Sequence, residues 1–355
     1  MSTYLDSGPR TTFELPPALA ATEPPEARGL SRDSVRLLVA RPGRLEHARF
    51  RDLAGWLSPG DLLVVNTSST RAAAVNGIRA RRQPVLVHFS TALDDGTWIV
   101  EFRSEDGTAA LLDVHPGEIV TLPSGRRLHV LGAHPEPWQE TSRLKRVRAD
   151  GPIEAYLAKH GKPIKYDYVR GEWPLSAYQT VFASEEGSAE MPSAARPFTT
   201  ELVTKLVAGG VNFAPITLHC GVSSLESGEL PQDERFRVSP SSAWLVNQTR
   251  AAGGRVIAVG TTATRALETV ASDDGTVSAD QGWTDLVLGP QHPARAVDGL
   301  ITGWHQPGAS HLSLLEAVAG PDLVQKAYDT ALEAGYLWHE FGDSCLLLPD
   351  RKSRC

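Results

Sequence analysis

The sequence predicts an α/β fold: a large α/β domain with a mixed sheet, interrupted by a smaller antiparallel β-barrel domain. Three observations carry this. The plan of helix, Gly-Gly and strand occurs twice, in TTELVTKLVAGGVNFAPITL and in SSAWLVNQTRAAGGRVIAV. Between them and the N-terminal part lies a stretch of short β-prone runs broken at Asp95-Gly96, Asp106-Gly107, Pro116-Gly117 and Ser124-Gly125, a spacing that suits an antiparallel sheet or small barrel. Three apolar runs in the second half then stop abruptly at Gly, Thr or His, as strands do where a ligand crevice opens.

In chain order, Pro16, Pro17, Pro24 and Pro25 forbid a long helix near the N-terminus, so this segment is expected to wrap a body in extended form. A strand is expected at 35–40, a short helix at 50–57, a turn at Pro59-Gly60 and a buried strand at 62–66. Residues 74–149 form the expected inserted barrel, leaving 1–73 and 150–355 to the large domain. There, threonines placed to cap a helix and a Gly209-Gly210 stop precede a strand at 211–218. Serine caps and Gly253-Gly254 frame the next helix before a strand at 255–259. A strand at 297–301, helices at 311–319 and 322–334 and a last strand at 344–348 complete the alternation, which implies helices covering a largely parallel or mixed sheet.

Composition sets outer bounds. With 355 residues, 41% hydrophobic and 22% charged, the chain has material for a sizeable core, and a net charge of −7 excludes a uniformly basic nucleic-acid binder while allowing a local basic face. RARR (Arg79, Arg81, Arg82) and RLKRVR (Arg143, Lys145, Arg146, Arg148) are the candidate phosphate contacts, with a solvated charged face as the alternative. Cys220, Cys345 and Cys355 have no metal or disulfide spacing. The N-terminus lacks an apolar signal region and no apolar run approaches membrane-spanning length, so a cytoplasmic protein is expected.

The strand ends carry the chemistry. The strand at 211–218 delivers His219, Cys220 and Gly221; that at 255–259 delivers Gly260, Thr261 and Thr262; that at 297–301 delivers Thr302 and then His305. Gly260 lets the backbone approach a ligand, a threonine hydroxyl is expected to cap the helix that follows, and the remaining amides favour an anionic or acceptor-rich group.

The blocks FELP, PGDLLVVN, YQTVFA, LHCG, RVIAVGTTATRALE, GWTDLVLGP, VDGLIT and FGDS occur in this order from Phe13 to about Leu348. Together they resemble the S-adenosylmethionine:tRNA ribosyltransferase-isomerase family of queuosine biosynthesis. The resemblance implies a large α/β domain interrupted by a β-barrel. It also implies S-adenosylmethionine as a ribosyl donor and co-substrate, a 7-aminomethyl-7-deazaguanine base in a tRNA anticodon as acceptor, release of adenine and methionine, and no metal. The sulfonium charge would acidify the adjacent 5′ carbon, so a positioned base could take a proton before the ribose rearranges, adenine leaves and the amine attacks.

Carried to matched positions, Tyr178, Gln179 and Thr180 are expected to wall the adenosine. Gly260, Thr261 and Thr262 are expected to hold the donor, with Arg265 and Glu268 as an orienting pair at its methionine end and Asp343 in a further donor-side block. His219, Glu234, Asp298 and His305 are the catalytic candidates, whereas Cys220 is read as packing. Departures fall mainly in the blocks assigned to the acceptor side. PTAGLHFT becomes PSAARPFT, placing Ala195, Arg196 and Pro197 where the family has Gly, Leu and His; Gln232 replaces a histidine; Ser69 and Ala74 replace arginines; TNFHLPKST becomes TGWHQPGAS; Ser223, Ser224 and Leu225 replace Gly-Thr-Phe. Retained donor binding with an altered acceptor side is the expectation. The rivals are an enzyme for a small-molecule or non-queuosine acceptor and a noncatalytic S-adenosylmethionine- or RNA-binding module. No early Gly-rich βα turn supports an ordinary methyltransferase.

Overall fold

The computed structural model describes residues 8–136, 142–223 and 231–350. Positions 224 and 225 of the departed Gly-Thr-Phe block, and the tail 351–355 with Cys355, lie outside the described residues. In chain order the elements are β1 (Arg36–Arg41), β2 (Arg44–Arg49), β3 (Leu62–Asn66), β4 (Ser68–Thr70), β5 (Ala74–Ile78), β6 (Pro84–Ala92), β7 (Trp98–Arg103), β8 (Ile119–Thr121), β9 (Arg127–Ala133), β10 (Leu144–Ala149), α1 (Glu154–His160), β11 (Glu185–Ser188), α2 (Thr200–Ala208), β12 (Asn212–Leu218), β13 (Glu234–Val238), α3 (Pro240–Ala251), β14 (Val256–Val259), α4 (Thr261–Thr269), β15 (Asp280–Thr284), β16 (Gly299–Thr302), α5 (Ser310–Ala319), α6 (Pro321–Glu333) and β17 (Ser344–Leu347).

A nine-stranded mixed sheet has the order β15-β13-β12-β3-β14-β16-β17-β1-β2. Its centre, β12-β3-β14-β16, is parallel, so these strands end on one edge. Antiparallel pairings flank it on both sides. Each central strand is apolar on both faces, as burial between helix layers requires. Leu62, Val64, Ala258 and Leu300 face a core shared with α3, α4, α5 and α6, whereas Leu63, Val65, Ile257 and Ile301 face Leu202 and Leu206 of α2 and the Phe50–Gly55 turn.

The strands β5 to β10 close into an antiparallel barrel of order β10-β7-β6-β5-β8-β9. Val87, Phe89, Val100, Phe102 and Val147 belong to the core they enclose. The basic runs serve this unit. Arg79 pairs with Asp113 and Glu118 at 3.1 and 3.0 Å, Arg143 and Lys145 are buried, and Arg146 pairs with Asp95. Arg79, Arg143 and Lys145 are therefore built into the barrel, whereas Arg82 and Arg148 stand exposed.

Caps follow the expected chemistry at two helices. Thr199 accepts the Leu202 amide at the start of α2, and Ser239 accepts the Ser242 amide ahead of Pro240 in α3. At α4 the expected threonine cap is absent: the N-cap is Gly260 and no side chain caps the helix. Residues 50–57 also differ, forming 3-10 turns over Phe50–Gly55, too short a run to sustain an α-helix before Pro59-Gly60. The proline-rich N-terminal segment wraps the body: Thr11 donates to Glu316, the Ala21 amide donates to the Trp338 carbonyl, and Phe13, Leu15 and Leu19 pack on the main core. Among the described residues no helix is long and apolar enough to cross a membrane.

Asn66 ties the strand ends together. Fully buried, its Oδ1 accepts the amides of Ser68 and Leu218, both at 3.0 Å, and its Nδ2 donates to the Leu218 carbonyl at 2.8 Å and to Thr262 Oγ1 at 3.2 Å. Asn66→Ala leaves these groups unsatisfied in a buried site. It is expected to cost about 3 kcal/mol of stability, read from the urea midpoint.

Candidate functional site

Beyond the parallel edge opens a cleft of about 260 Å3. Its floor follows from the strand ends: β12 contributes Cys220 and Gly221, β14 runs into Gly260, Thr261 and Thr262, and β16 ends in Thr302 with Trp304 and His305 beyond. Gly260 makes the sharp corner. Its φ of 93° and ψ of 159° belong to a region open essentially only to glycine. A Cβ there would lie 3.3 Å from the Ala194 side chain. Because α4 carries no side-chain cap, its first amides meet the cleft with no side chain of the described residues to receive them.

One wall is fixed by an ion pair. Glu234 at the start of β13 pairs with Arg265 of α4 and accepts the Gly221 amide at 3.2 Å. Burial raises the Glu234 carboxyl pKa, against the opposing effect of Arg265. Arg265 also donates to the carbonyls of Gln232, Thr284 and Leu286 at 3.1, 3.2 and 3.1 Å, so it clamps the segments that border the cleft.

The facing wall is aromatic and acidic. Tyr166 donates to Glu190, which also accepts from the amide and hydroxyl of Ser223. Tyr168 donates to Glu340 at 2.6 Å. The Tyr168 ring stacks on His339 at 3.9 Å and on Tyr166 at 6.0 Å. Burial pushes the Glu190 carboxyl up and raises that of Glu340 to about 7.

A third group is a pair of imidazoles. His305 and His311 stack at 4.6 Å, almost parallel. Burial holds His305 well below the ordinary imidazole range and His311 down at about 4. Thr302 Oγ1 lies 3.1 Å from the Gly303 carbonyl and 3.0 Å from His305 Nε2. A hydroxyl has one proton; where it goes to Gly303, the oxygen accepts Nε2–H and the ring lone pair falls on Nδ1 of His305, and where it goes to Nε2 the reverse holds.

The structure brings Tyr178, Gly260, Thr261, Thr262, Arg265, Glu234 and His305 to this one cleft. The other sequence candidates lie elsewhere. His219 is not part of the lining. At a strand end successive side chains point to opposite faces, so Cys220 faces the cleft while His219 turns to Ser68 Oγ at 2.8 Å, close under Gly187. Asp298 precedes β16 and accepts the Val256 amide at 2.9 Å, which puts it at the opposite end of the parallel strands. Glu268 accepts the amides of Arg295, Ala296 and Val297, holding the chain that leads into β16 rather than pairing with Arg265 over the donor. Asp343 accepts the amides of Arg36 and Leu337 at 2.7 and 2.8 Å, securing the loop that carries His339 and Glu340. Gln179 clasps both backbone groups of Thr70, and Thr180 accepts the Phe182 amide at 3.3 Å.

Of the departed positions, Arg196 is buried away from the cleft. It pairs with Glu26 at 2.9 Å and lies 4.9 Å from the centre of the Phe341 ring. Gln232 does reach the lining. Among the described residues no group of three His, Cys, Asp or Glu side chains is arranged to hold a metal. Sequence reasoning missed Tyr166, Tyr168, Glu190, His311, His339 and Glu340. The available signal was adjacency, since Glu190 lies two residues before the PSAARPFT block and Glu340 directly precedes the FGDS block.

The imidazoles give a pH prediction. A histidine whose folded pKa lies below its unfolded value of about 6.5 disfavours the folded state once the unfolded chain takes up the proton. Stability is therefore lost as pH falls from about 6.5 toward 4, the folded value of His311. Glu340 acts in the opposite sense, its contribution being lost as pH rises through about 7. His311→Gln is expected to lose less stability than the wild type over the acid interval, measured by urea unfolding; equal losses would refute the assignment.

A family model for queuosine biosynthesis proteins matches residues 10–347. The S-adenosylmethionine:tRNA ribosyltransferase-isomerase of Symbiobacterium thermophilum is 37% identical over 348 residues, covering 95% of this chain and 98% of that one. The enzyme of the same name from Moorella thermoacetica is 35% identical over 353 residues, with the same coverage of 95% and 98%. A crystal structure of S-adenosylmethionine tRNA ribosyltransferase from Thermotoga maritima aligns with a TM-score of 0.52 at 28% identity, over 95% of this chain and 99% of its own. On these grounds, and with the barrel-interrupted α/β fold in hand, the chain belongs to the queuosine biosynthesis family of S-adenosylmethionine:tRNA ribosyltransferase-isomerases.

Proposed function

We propose that this chain transfers and isomerises the ribosyl part of S-adenosylmethionine onto a modified base of tRNA, and that the cleft at the parallel edge is where it does so. The observation that carries the placement is a set of unanswered polar groups in one cavity. Thr70 Oγ1, Gln232 Nε2 and Trp304 Nε1 are buried without a hydrogen-bond partner among the described residues, and all three residues line the cleft that the uncapped start of α4 also enters. Such groups are costly unless a ligand satisfies them. A nucleoside offers hydroxyls and ring nitrogens suited to that set.

In this reading the Gly260–Thr262 corner supports the donor through its backbone amides. Arg265 and Glu234 act as positioning residues, because their pairing fixes the 231–234 and 284–286 segments that frame the cavity. His305 is the proton acceptor. It is neutral at pH 7, and in the tautomer whose Nε2–H donates to Thr302 its Nδ1 is able to receive a proton from the carbon beside the sulfonium. The side chains of Gln179, Glu268, Asp298 and Asp343 serve the framework.

The test is release of adenine and methionine from S-adenosylmethionine, followed by chromatography, with and without tRNA carrying the aminomethyl base. Release dependent on that tRNA is expected; release without it would favour a different acceptor, and binding without turnover a noncatalytic role. Thr262→Val is expected to weaken S-adenosylmethionine binding about tenfold, equivalent to about 1.4 kcal/mol, and to lower stability by about 1 kcal/mol, because Asn66 Nδ2 loses one of its two acceptors. His305→Gln is expected to lower kcat by about 100-fold or more with donor affinity retained. Full activity in both variants would remove the site assignment.

A further inference from the structure

Among the described residues, the acidic wall of the cleft has no cation in direct contact with it. Glu234 has Arg265, but no lysine, arginine or histidine nitrogen of the described residues lies in salt-bridge contact with Glu190 or Glu340. Both carboxyls face the cavity, and each is fixed by a tyrosine hydroxyl rather than by a charge. Burial raises both carboxyls, opposed at longer range by His88 for Glu190 and by Arg196 for Glu340, and a cation bound in the cleft would favour their ionised forms.

A second observation points to the same wall. Thr70 is 3% exposed, its Oγ1 has no partner among the described residues, and in the β4–β11 ladder it pairs with Ser188, two residues before Glu190. Trp304 is 2% exposed, its Nε1 likewise has no partner among the described residues, and its ring lies 5.3 Å from that of Trp338, two residues before Glu340. Both unanswered groups belong to residues that line the same cleft as the two carboxyls. Tyr166, Tyr168 and His339 add a run of stacked rings beside them.

We propose that Glu190 and Glu340 form a subsite for substrate-borne positive charge, and that its occupant is the primary ammonium of the acceptor base, placed beside the aromatic run. This rests on the ribosyl-transfer reading above. A carboxylate pair holds an alkylammonium through charge-assisted hydrogen bonds. It can also receive one of its protons: the N–H bond breaks, the electron pair stays on nitrogen, the proton goes to a carboxylate oxygen, and a neutral amine results. Burial, which raises Glu340 toward neutrality, suits that exchange. The donor's sulfonium is the other source of positive charge, and the two sources are separable by experiment.

Glu190→Gln and Glu340→Gln keep an oxygen for each tyrosine hydroxyl while removing the charge. With the full chain, binding of S-adenosylmethionine and of S-adenosylhomocysteine, which lacks the sulfonium charge, is measured by calorimetry. Binding and turnover of an anticodon stem-loop bearing the aminomethyl base are measured alongside, with the unmodified stem-loop as control; thermal melting checks folding. The expected result is donor affinity within about twofold of wild type and kcat/KM for the modified stem-loop reduced about tenfold or more, with the affinity preference for modified over unmodified RNA lost. A loss of S-adenosylmethionine affinity with S-adenosylhomocysteine unaffected would overturn the acceptor assignment and give the charge to the donor. Wild-type behaviour in both variants would overturn the subsite altogether. If either variant fails to fold, Tyr168→Phe, which leaves the Glu340 charge in place but frees it from its hydroxyl, is expected to change the pH dependence of stem-loop turnover; an unchanged profile counts against the proposal. Wild-type protein that binds neither donor nor modified stem-loop overturns the ribosyl-transfer reading itself, whereas wild-type binding with insensitive variants overturns the subsite alone.

Discussion

The structure depends on four neighbouring parallel strands ending at one edge and on a buried amide that joins those ends. Asn66 answers both backbone groups of Leu218, the amide of Ser68 and the hydroxyl of Thr262. Strand pairing alone would align β3 with β12 and β14. The amide additionally fixes how the chain leaves each strand, and therefore where Cys220, Ser68 and the start of α4 stand. A low-dielectric interior makes such a satisfied network rigid and makes any unsatisfied member expensive.

That rigidity explains the division between residues that touch the cavity and residues that hold it. Matched motifs contain both kinds. Within the GTTATRALE block, Gly260, Thr261 and Thr262 form the floor, Arg265 braces the side, and Glu268 gathers three amides ahead of β16. Within YQT, the tyrosine faces inward while the glutamine reproduces a strand-like pairing with Thr70. A motif is therefore a unit of local construction, and assigning every member to the ligand overstates the chemistry.

Much of the fold was legible in the sequence because its signals are local. Glycine pairs, capping hydroxyls and continuous apolar runs place α2, β12, α3 and β14 within a residue or two of their expected ends. The Gly260 corner was legible for the same reason: a buried strand stopping at glycine and resuming as helix has few other meanings. The candidates that stand away from the cleft share a different cause. Strand alternation decides that His219 turns away while Cys220 turns in, and parallel direction decides that Asp298, ahead of its strand, stands at the far edge. Both rules were available, but the pairing partners needed to apply them were not. The acidic wall was illegible because Tyr166, Glu190 and Glu340 lie in irregular segments, and only the tertiary fold sets them side by side. Arg196 shows the converse: a substituted position that reads as new active-site charge is neutralised in the interior by Glu26, a residue 170 positions away.

The order of the sheet has a consequence for biogenesis. Its β1 strand pairs with β17, and the leading segment is tied to Glu316 and Trp338. Contacts between the earliest and latest parts of a chain cannot form while the ribosome still holds the later part. The barrel, made from contiguous sequence, can close early, whereas the loop bearing His339 and Glu340 finds its anchor in Arg36 only after Asp343 has emerged. A nascent chain is thus without a finished cleft until translation has passed nearly all of the described residues.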